Sequence, residues 1–141
     1  MLRASKIETI KKDILGKDYA LSIAFVSERK SQELNKKYRK KDRPTNVLSF
    51  SLRENFGELV ICKAVVKREV QNKKNNLEKN FDEWLGFLVI HGMLHLKGCV
   101  HGGTMSRLET IYDQKYFSGH RRGLHDDTSR GGRVLKRRKK S

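Results

Sequence analysis

Three of the chain's five histidines fall within eleven residues, at His91, His95 and His101. His91 and His95 are four apart, so on a helix their rings leave the same face about one turn apart. Trp84 and Leu88 continue that face, which sets the two imidazoles above apolar surface. Gly98 lets the chain leave the helix, and His101 can swing back to supply a third nitrogen. The pattern His-x-x-x-His-x-x-Gly-x-x-His has the spacing of one class of zinc hydrolase. Three neutral imidazoles and one open position predict a catalytic zinc site holding one Zn²⁺ per chain, because a closed structural site uses four protein ligands. A lone histidine in this setting would be an ordinary helix residue filling a polar niche. Three at ligand spacing around a glycine turn are not explained that way.

Two neighbours qualify the chemistry. In zinc peptidases the residue after the first histidine is a glutamate that serves as general base. Here that residue is Gly92, which disfavours peptidase chemistry by that route. Cys99, beside His101, is a soft donor but reads as a bystander in the turn.

A second constellation lies upstream. Residues 29–43 hold eight Lys or Arg and two acids, closed by Pro44, the only proline in the chain. Cations near the C-terminus of a helix are favourable on their own account, which covers Lys36, Lys37 and Lys40. The same run is equally a phosphate-binding patch with Tyr38 available for base stacking. Charge alone leaves the two readings level.

These residues need elements to hold them. Ile7, Ile10 and Ile14, with Leu15, predict a first helix stopped by Gly16. Residues 20–26 alternate as a strand with Leu21, Ile23 and Phe25 on one face, and Ser27 then opens a helix carrying Leu34 and Tyr38. Residues 47–52 alternate as a second strand, and Leu59-Val60-Ile61 reads as a third after a turn at Gly57. Helices follow over 64–70, over 81–96 with a stop at Gly98, and over 104–117, the last with Met105, Leu108, Ile111 and Tyr112 as its buried stripe. Interleaved helices and short strands predict an α/β or α+β class with about three or four strands.

The 141 residues suffice for one domain with a core. Charged residues make up 34% and the net charge is +16, which argues for a polyanionic partner, nucleic acid before anionic membrane. The longest apolar stretch, Trp84 to Leu96, carries two histidines and is too short for a span of about 20 residues. The first residues lack an apolar signal region, and two cysteines, Cys62 and Cys99, give no disulfide framework. These features predict a cytoplasmic protein with reduced thiols and no membrane or disulfide partner. Residues 119–141 hold nine Lys or Arg against Asp126 and Asp127, with four glycines and three apolar side chains. That composition predicts a basic tail that orders only on a partner, appended to a domain over 1–118.

Three segments taken together carry a resemblance. Leu34-Asn35, Tyr38-Arg39-x-Lys41-Asp42-x-Pro44-Thr45-Asn46-Val47-Leu48-Ser49-Phe50, then Gly57-Glu58-Leu59-Val60-Ile61-Cys62, then His91-Gly92-x-Leu94-His95-Leu96-x-Gly98-x-x-His101 resemble the YbeY family of bacterial metal-dependent endoribonucleases. The likeness runs over residues 20–117. It implies an α+β fold with a small mixed sheet packed with helices, and a zinc held by His91, His95 and His101 at a helix end in a cleft. It also implies single-strand RNA cleavage, 16S rRNA 3′-end maturation and ribosome quality control, with the small ribosomal subunit or its rRNA precursor as partner. By position Arg39 takes the place of the family's functionally important arginine. The chain departs from the family in having Cys99-Val100 where Tyr-Asp is usual, Glu58 for Asp and Ser51 for Pro.

On that reading His91 and Arg39 are the catalytic pair, Arg39 clamping a phosphate as a bidentate guanidinium. Lys37, Lys41 and Arg43 hold flanking phosphates, and Arg121, Arg122, Arg133, Arg137 and Arg138 of the tail bind RNA. Two other readings compete. One is a non-catalytic ribosome-associated RNA-binding factor with a structural zinc. The other is a zinc peptidase, which needs a carboxylate such as Glu58 or Glu109 to replace the missing base.

Overall fold

The computed structural model describes residues 2–117. The tail cations Arg121, Arg122, Arg133, Arg137 and Arg138 lie outside the described residues. Among the described residues five helices surround a three-stranded mixed sheet, an α+β arrangement. In chain order the elements are α1 (Ala4–Ile14), β1 (Ala20–Phe25), α2 (Glu28–Arg39), β2 (Val47–Arg53), β3 (Phe56–Ile61), α3 (Lys63–Gln71), α4 (Phe81–Lys97) and α5 (Gly103–Phe117), with a single 3₁₀ turn at Lys73–Asn75. The strand order is β1-β3-β2. β1 runs parallel to β3, and β2 and β3 form an antiparallel hairpin.

Local chemistry explains most boundaries. Ser27 caps α2 by accepting from the Lys30 amide at 3.1 Å. Asn80 and Glu83 form a reciprocal capping box at the start of α4, satisfying two amides that the helix leaves unpaired. Gly98 closes α4 in the left-handed conformation, φ 111°, which a Cβ would disfavour.

Two expectations fail in detail. The hairpin turns at Asn55, whose φ of 61° suits asparagine among non-glycine residues, and not at Gly57. Gly57 lies inside β3, paired with Leu21 and Ser51, where a Cβ would come within 2.9 Å of Leu96 Cδ2. On α5, Ile111 is 50% exposed, and Asp113 is buried in its place with its carboxylate on Lys79 Nζ at 2.6 Å. The inward stripe of α5 therefore follows Met105, Leu108, Tyr112 and Tyr116, one helical position away from Ile111.

α4 is the central element. It packs on β2 and β3 and touches α1, α3 and α5. Leu59, Ile90, Met93 and Leu94 are fully buried, each burial contributing about 1.5–3 kcal/mol relative to exposure. Helix and sheet come closest at Gly92, where a Cβ would lie 2.7 Å from Leu59 Cδ2 and 3.1 Å from Ser49 Oγ. Ser49 Oγ also donates to the Gly92 carbonyl at 3.1 Å. Gly92 is thus a packing glycine facing the sheet, and that contact accounts for the missing side chain. Gly92→Val should lower unfolding free energy by about 2 kcal/mol or more through overpacking, as measured by denaturant titration.

Candidate metal centre

The last turns of α4 present His91 and His95 side by side. The chain then reverses, with the Gly98 and Cys99 amides donating to the His95 and Leu94 carbonyls at 3.0 Å. That reversal brings His101 back over the helix end. His95 Nε2 lies 3.2 Å from His91 Nε2 and 3.1 Å from His101 Nε2. The three imidazoles therefore point one nitrogen each at a common centre.

The donor set fits a tetrahedral metal ion. A metal–nitrogen distance of about 2.05 Å and tetrahedral angles put ligand nitrogens about 3.3 Å apart, close to both spacings from His95. Two of the three remaining ring nitrogens are spoken for. His91 Nδ1 faces the Glu109 carboxylate, and His95 Nδ1 faces the Cys99 carbonyl at 3.3 Å. Both acceptors require N–H on Nδ1, which leaves the Nε2 lone pairs free to bind a cation. Burial, and then the neighbouring His91 and His101, lower the His95 pKa from 6.5 to about 4, so His95 is neutral at neutral pH. Among the described residues the cluster has three protein ligands and no fourth. Cys99 contributes its backbone carbonyl and not its thiol.

A groove of about 790 Å³ opens on the centre. It runs from Tyr38 and Arg39 at the end of α2, along residues 45–51, to the three histidines. Arg39 is exposed there, and among the described residues no acid pairs with it. Tyr38, 54% exposed, stands edge-on to Phe50 with ring centroids 5.0 Å apart. Lys37, Lys41 and Arg43 are exposed on the same helix end and loop but do not line the groove. The loop itself is held from below. Buried Asn35 donates to the Arg43 carbonyl at 2.8 Å, and the Ser31 hydroxyl donates to the Thr45 carbonyl while accepting from its amide, both at 2.8 Å.

The structure adds residues whose roles sequence spacing does not disclose. Glu109 is not placed as a base on the metal side; it orients His91 from behind. Glu58, the other carboxylate considered for that task, accepts from Ser22 Oγ at 3.2 Å. Asn46, in the groove wall, donates to Glu69 of α3, and Trp84 Nε1 donates to the same carboxylate at 2.9 Å. Only the packing of α3 and α5 against α4 brings these groups together, so no local motif announces them.

Fold and site together define a small α+β protein with a three-histidine centre at the end of a basic-lipped groove. Comparison with known proteins makes the class specific. A family described as "Endoribonuclease YbeY" matches residues 2–115. A protein named "Endoribonuclease YbeY" from Colwellia psychrerythraea is 43% identical over 101 residues, covering 67% of this chain and 63% of the relative. Its counterpart from Cupriavidus necator is 41% identical over 101 residues, with 68% and 49% covered. The one from Staphylococcus carnosus is 33% identical over 117 residues, with 74% of each chain covered. The solution structure of TM1509 from Thermotoga maritima superposes with a TM-score of 0.59 at 32% identity, over 81% of this chain and 78% of that one. The chain belongs to the YbeY family. It spans 63% and 49% of the length of the first two relatives.

Two outcomes test the centre. Glu109→Gln should weaken metal binding by roughly tenfold or more, read by competition with a chromogenic chelator, because a neutral amide orients and polarises His91 less well. The second concerns pH. With a folded pKa of about 4 against 6.5 for His95, the unfolded chain binds more protons between those values. Thermal stability of the metal-free protein should therefore fall as pH drops from 6.5 towards 4, and His95→Gln should flatten that fall.

Proposed function

We propose that this chain is a single-strand-specific, zinc-dependent endoribonuclease acting in 16S rRNA 3′-end maturation and ribosome quality control. One observation carries the reading: Arg39, a guanidinium with no acid paired to it among the described residues, lines the same groove as a three-ligand histidine centre. The relatives' name, Endoribonuclease YbeY, supports the reaction class.

His91, His95 and His101 would hold the ion, and Glu109 keeps the His91 ring in the tautomer that binds. Zinc in such a site supplies Lewis-acid polarisation and a nucleophile available near neutral pH. Arg39 binds the scissile phosphate through two parallel N–H donors and stabilises the charge that builds on its oxygens. The exposed Tyr38 face stacks a neighbouring base. Lys37, Lys41 and Arg43, outside the groove lining, attract the strand as it approaches and exits.

A structural-zinc RNA-binding factor would call for a fourth protein ligand, and the described residues place none in the cluster. A peptidase would need a carboxylate on the metal side. Gly92 is packed on Leu59, Glu109 stands behind His91, and Glu58 is bonded to Ser22. The tail over 119–141, carrying Arg121, Arg122, Arg133, Arg137 and Arg138, anchors the domain of residues 1–118 on rRNA in the small subunit or its precursor. Work on rRNA places the chain in the cytoplasm; among the described residues no helix is long and apolar enough to cross a membrane.

The test is cleavage of a single-stranded RNA by purified protein. His91→Ala and Arg39→Ala should each reduce the rate by about 100-fold or more, as loss of a group that stabilises transition-state charge does. Undiminished cleavage in either variant would overturn the assignment.

A further inference from the structure

The centre has a second cavity on its other side. About 300 Å³ in volume, it lies between α4, the start of α5 and Asn46, with Trp84, Phe87 and Met105 among its apolar walls. His91, His101 and Asn46 belong to both this cavity and the Arg39 groove. The three residues are therefore the partition between them. The volume equals roughly ten waters at about 30 Å³ each, the scale of one nucleoside.

Asn46 is the one member of that partition outside the histidine cluster, and its orientation is dictated from below. Its Nδ2 donates to both carboxylate oxygens of Glu69, at 3.0 and 3.2 Å. A carboxylate only accepts, so the amide cannot be reversed without losing both contacts. Glu69 is itself held by Trp84 Nε1 at 2.9 Å, and its backbone carbonyl accepts from Asn75 Nδ2 at 2.8 Å. Asn46 Oδ1 has no partner among the described residues and is not sealed from solvent. The result is an oriented hydrogen-bond acceptor at the junction of two cavities, beside the histidine centre.

We infer that the smaller cavity is a nucleoside subsite, with the base between α4 and α5 and the ribose 2′-hydroxyl donating to Asn46 Oδ1. The inference rests on the proposed RNA-directed function and extends it to substrate choice. A strand whose phosphate is held at the histidines and Arg39 must place an adjoining sugar at the partition before its base can enter the cavity. The 2′-hydroxyl is the donor that RNA offers there and DNA lacks. Asn46 is then a specificity-determining residue, and Glu69 a positioning residue that acts through it.

The experiment uses the metal-loaded full chain and a single-stranded RNA in which one 2′-deoxynucleotide is walked along the strand. Binding is read by fluorescence anisotropy, with strand integrity checked on a gel. At one position the 2′-deoxy substitution should weaken wild-type binding about three- to tenfold, the effect of one hydrogen bond. Asn46→Ala should abolish that position's effect while metal stoichiometry stays unchanged. Glu69→Gln should reproduce the loss, because a glutamine amide can donate to Oδ1 and turn the Asn46 NH₂ outward. Ser106→Trp, an exposed position lining the cavity, should make binding insensitive to removing the adjoining base. If the protein binds and cleaves RNA while Asn46→Ala keeps the full 2′-deoxy effect, the subsite is wrong and the function stands. If the metal-loaded chain neither binds nor cleaves single-stranded RNA, the function fails and the subsite with it.

Discussion

The approach of α4 to the hairpin at Gly92 sets the geometry of everything around it. With no side chain at that position, the Leu59 methyls and the Ser49 hydroxyl come up against the helix backbone. This close contact fixes both the depth and the rotation of α4. Residues facing the sheet, such as Met93, are buried, and the turn carrying His91 and His95 is left at the rim of the groove that β2 walls. The α1 end is tied to the same place, since Lys97 Nζ donates to the Ile14 carbonyl at 3.0 Å. A rigid helix on a rigid sheet is what holds His91 Nε2 within a few tenths of an ångström of ligand spacing from His95 Nε2.

The electrostatics of the centre follow from that packing. Partial burial and the mutual proximity of the rings oppose protonation of His95. The Glu109 carboxylate and the Cys99 carbonyl draw the remaining ring protons to the far side. A carboxylate behind a ligand raises its basicity, and a carbonyl does so less. The Nε2 atoms of His91 and His95 thus keep their lone pairs towards the centre, an arrangement that a cation relieves. The positive charge of the chain works differently. Arg39 stands in the groove, whereas Lys37, Lys41 and Arg43 sit around its outside. The cation that lines the groove and the cations outside it are thus separate populations.

Much of this was legible in the order of residues. Helix stops at Gly16 and Gly98, the Ser27 cap, the alternation of β1 and β2, and the histidine spacing each depend on backbone geometry within a few residues. Local pattern and structure part where two elements compete for one face. Gly57 reads as a turn residue until Leu96 and Tyr19 occupy the space its side chain would need. Ile111 reads as buried by type, but the stripe of α5 is chosen by where α4 lies. Asp113 goes inward because Lys79 meets it there.

By itself the sequence determined which residues could form a site: three histidines at i, i+4 and beyond a glycine turn, with an arginine at a helix end ahead of a strand. Such patterns are local, because helical pitch and a left-handed glycine suffice to converge the rings. Tertiary structure alone decided what surrounds them. Glu109 behind His91, the Glu69 carboxylate shared by Asn46 and Trp84, and the two cavities divided at Asn46 all join elements that are distant along the chain. Their contacts depend on how α3 and α5 pack against α4, which is set by the shapes of buried side chains and is encoded in no single segment.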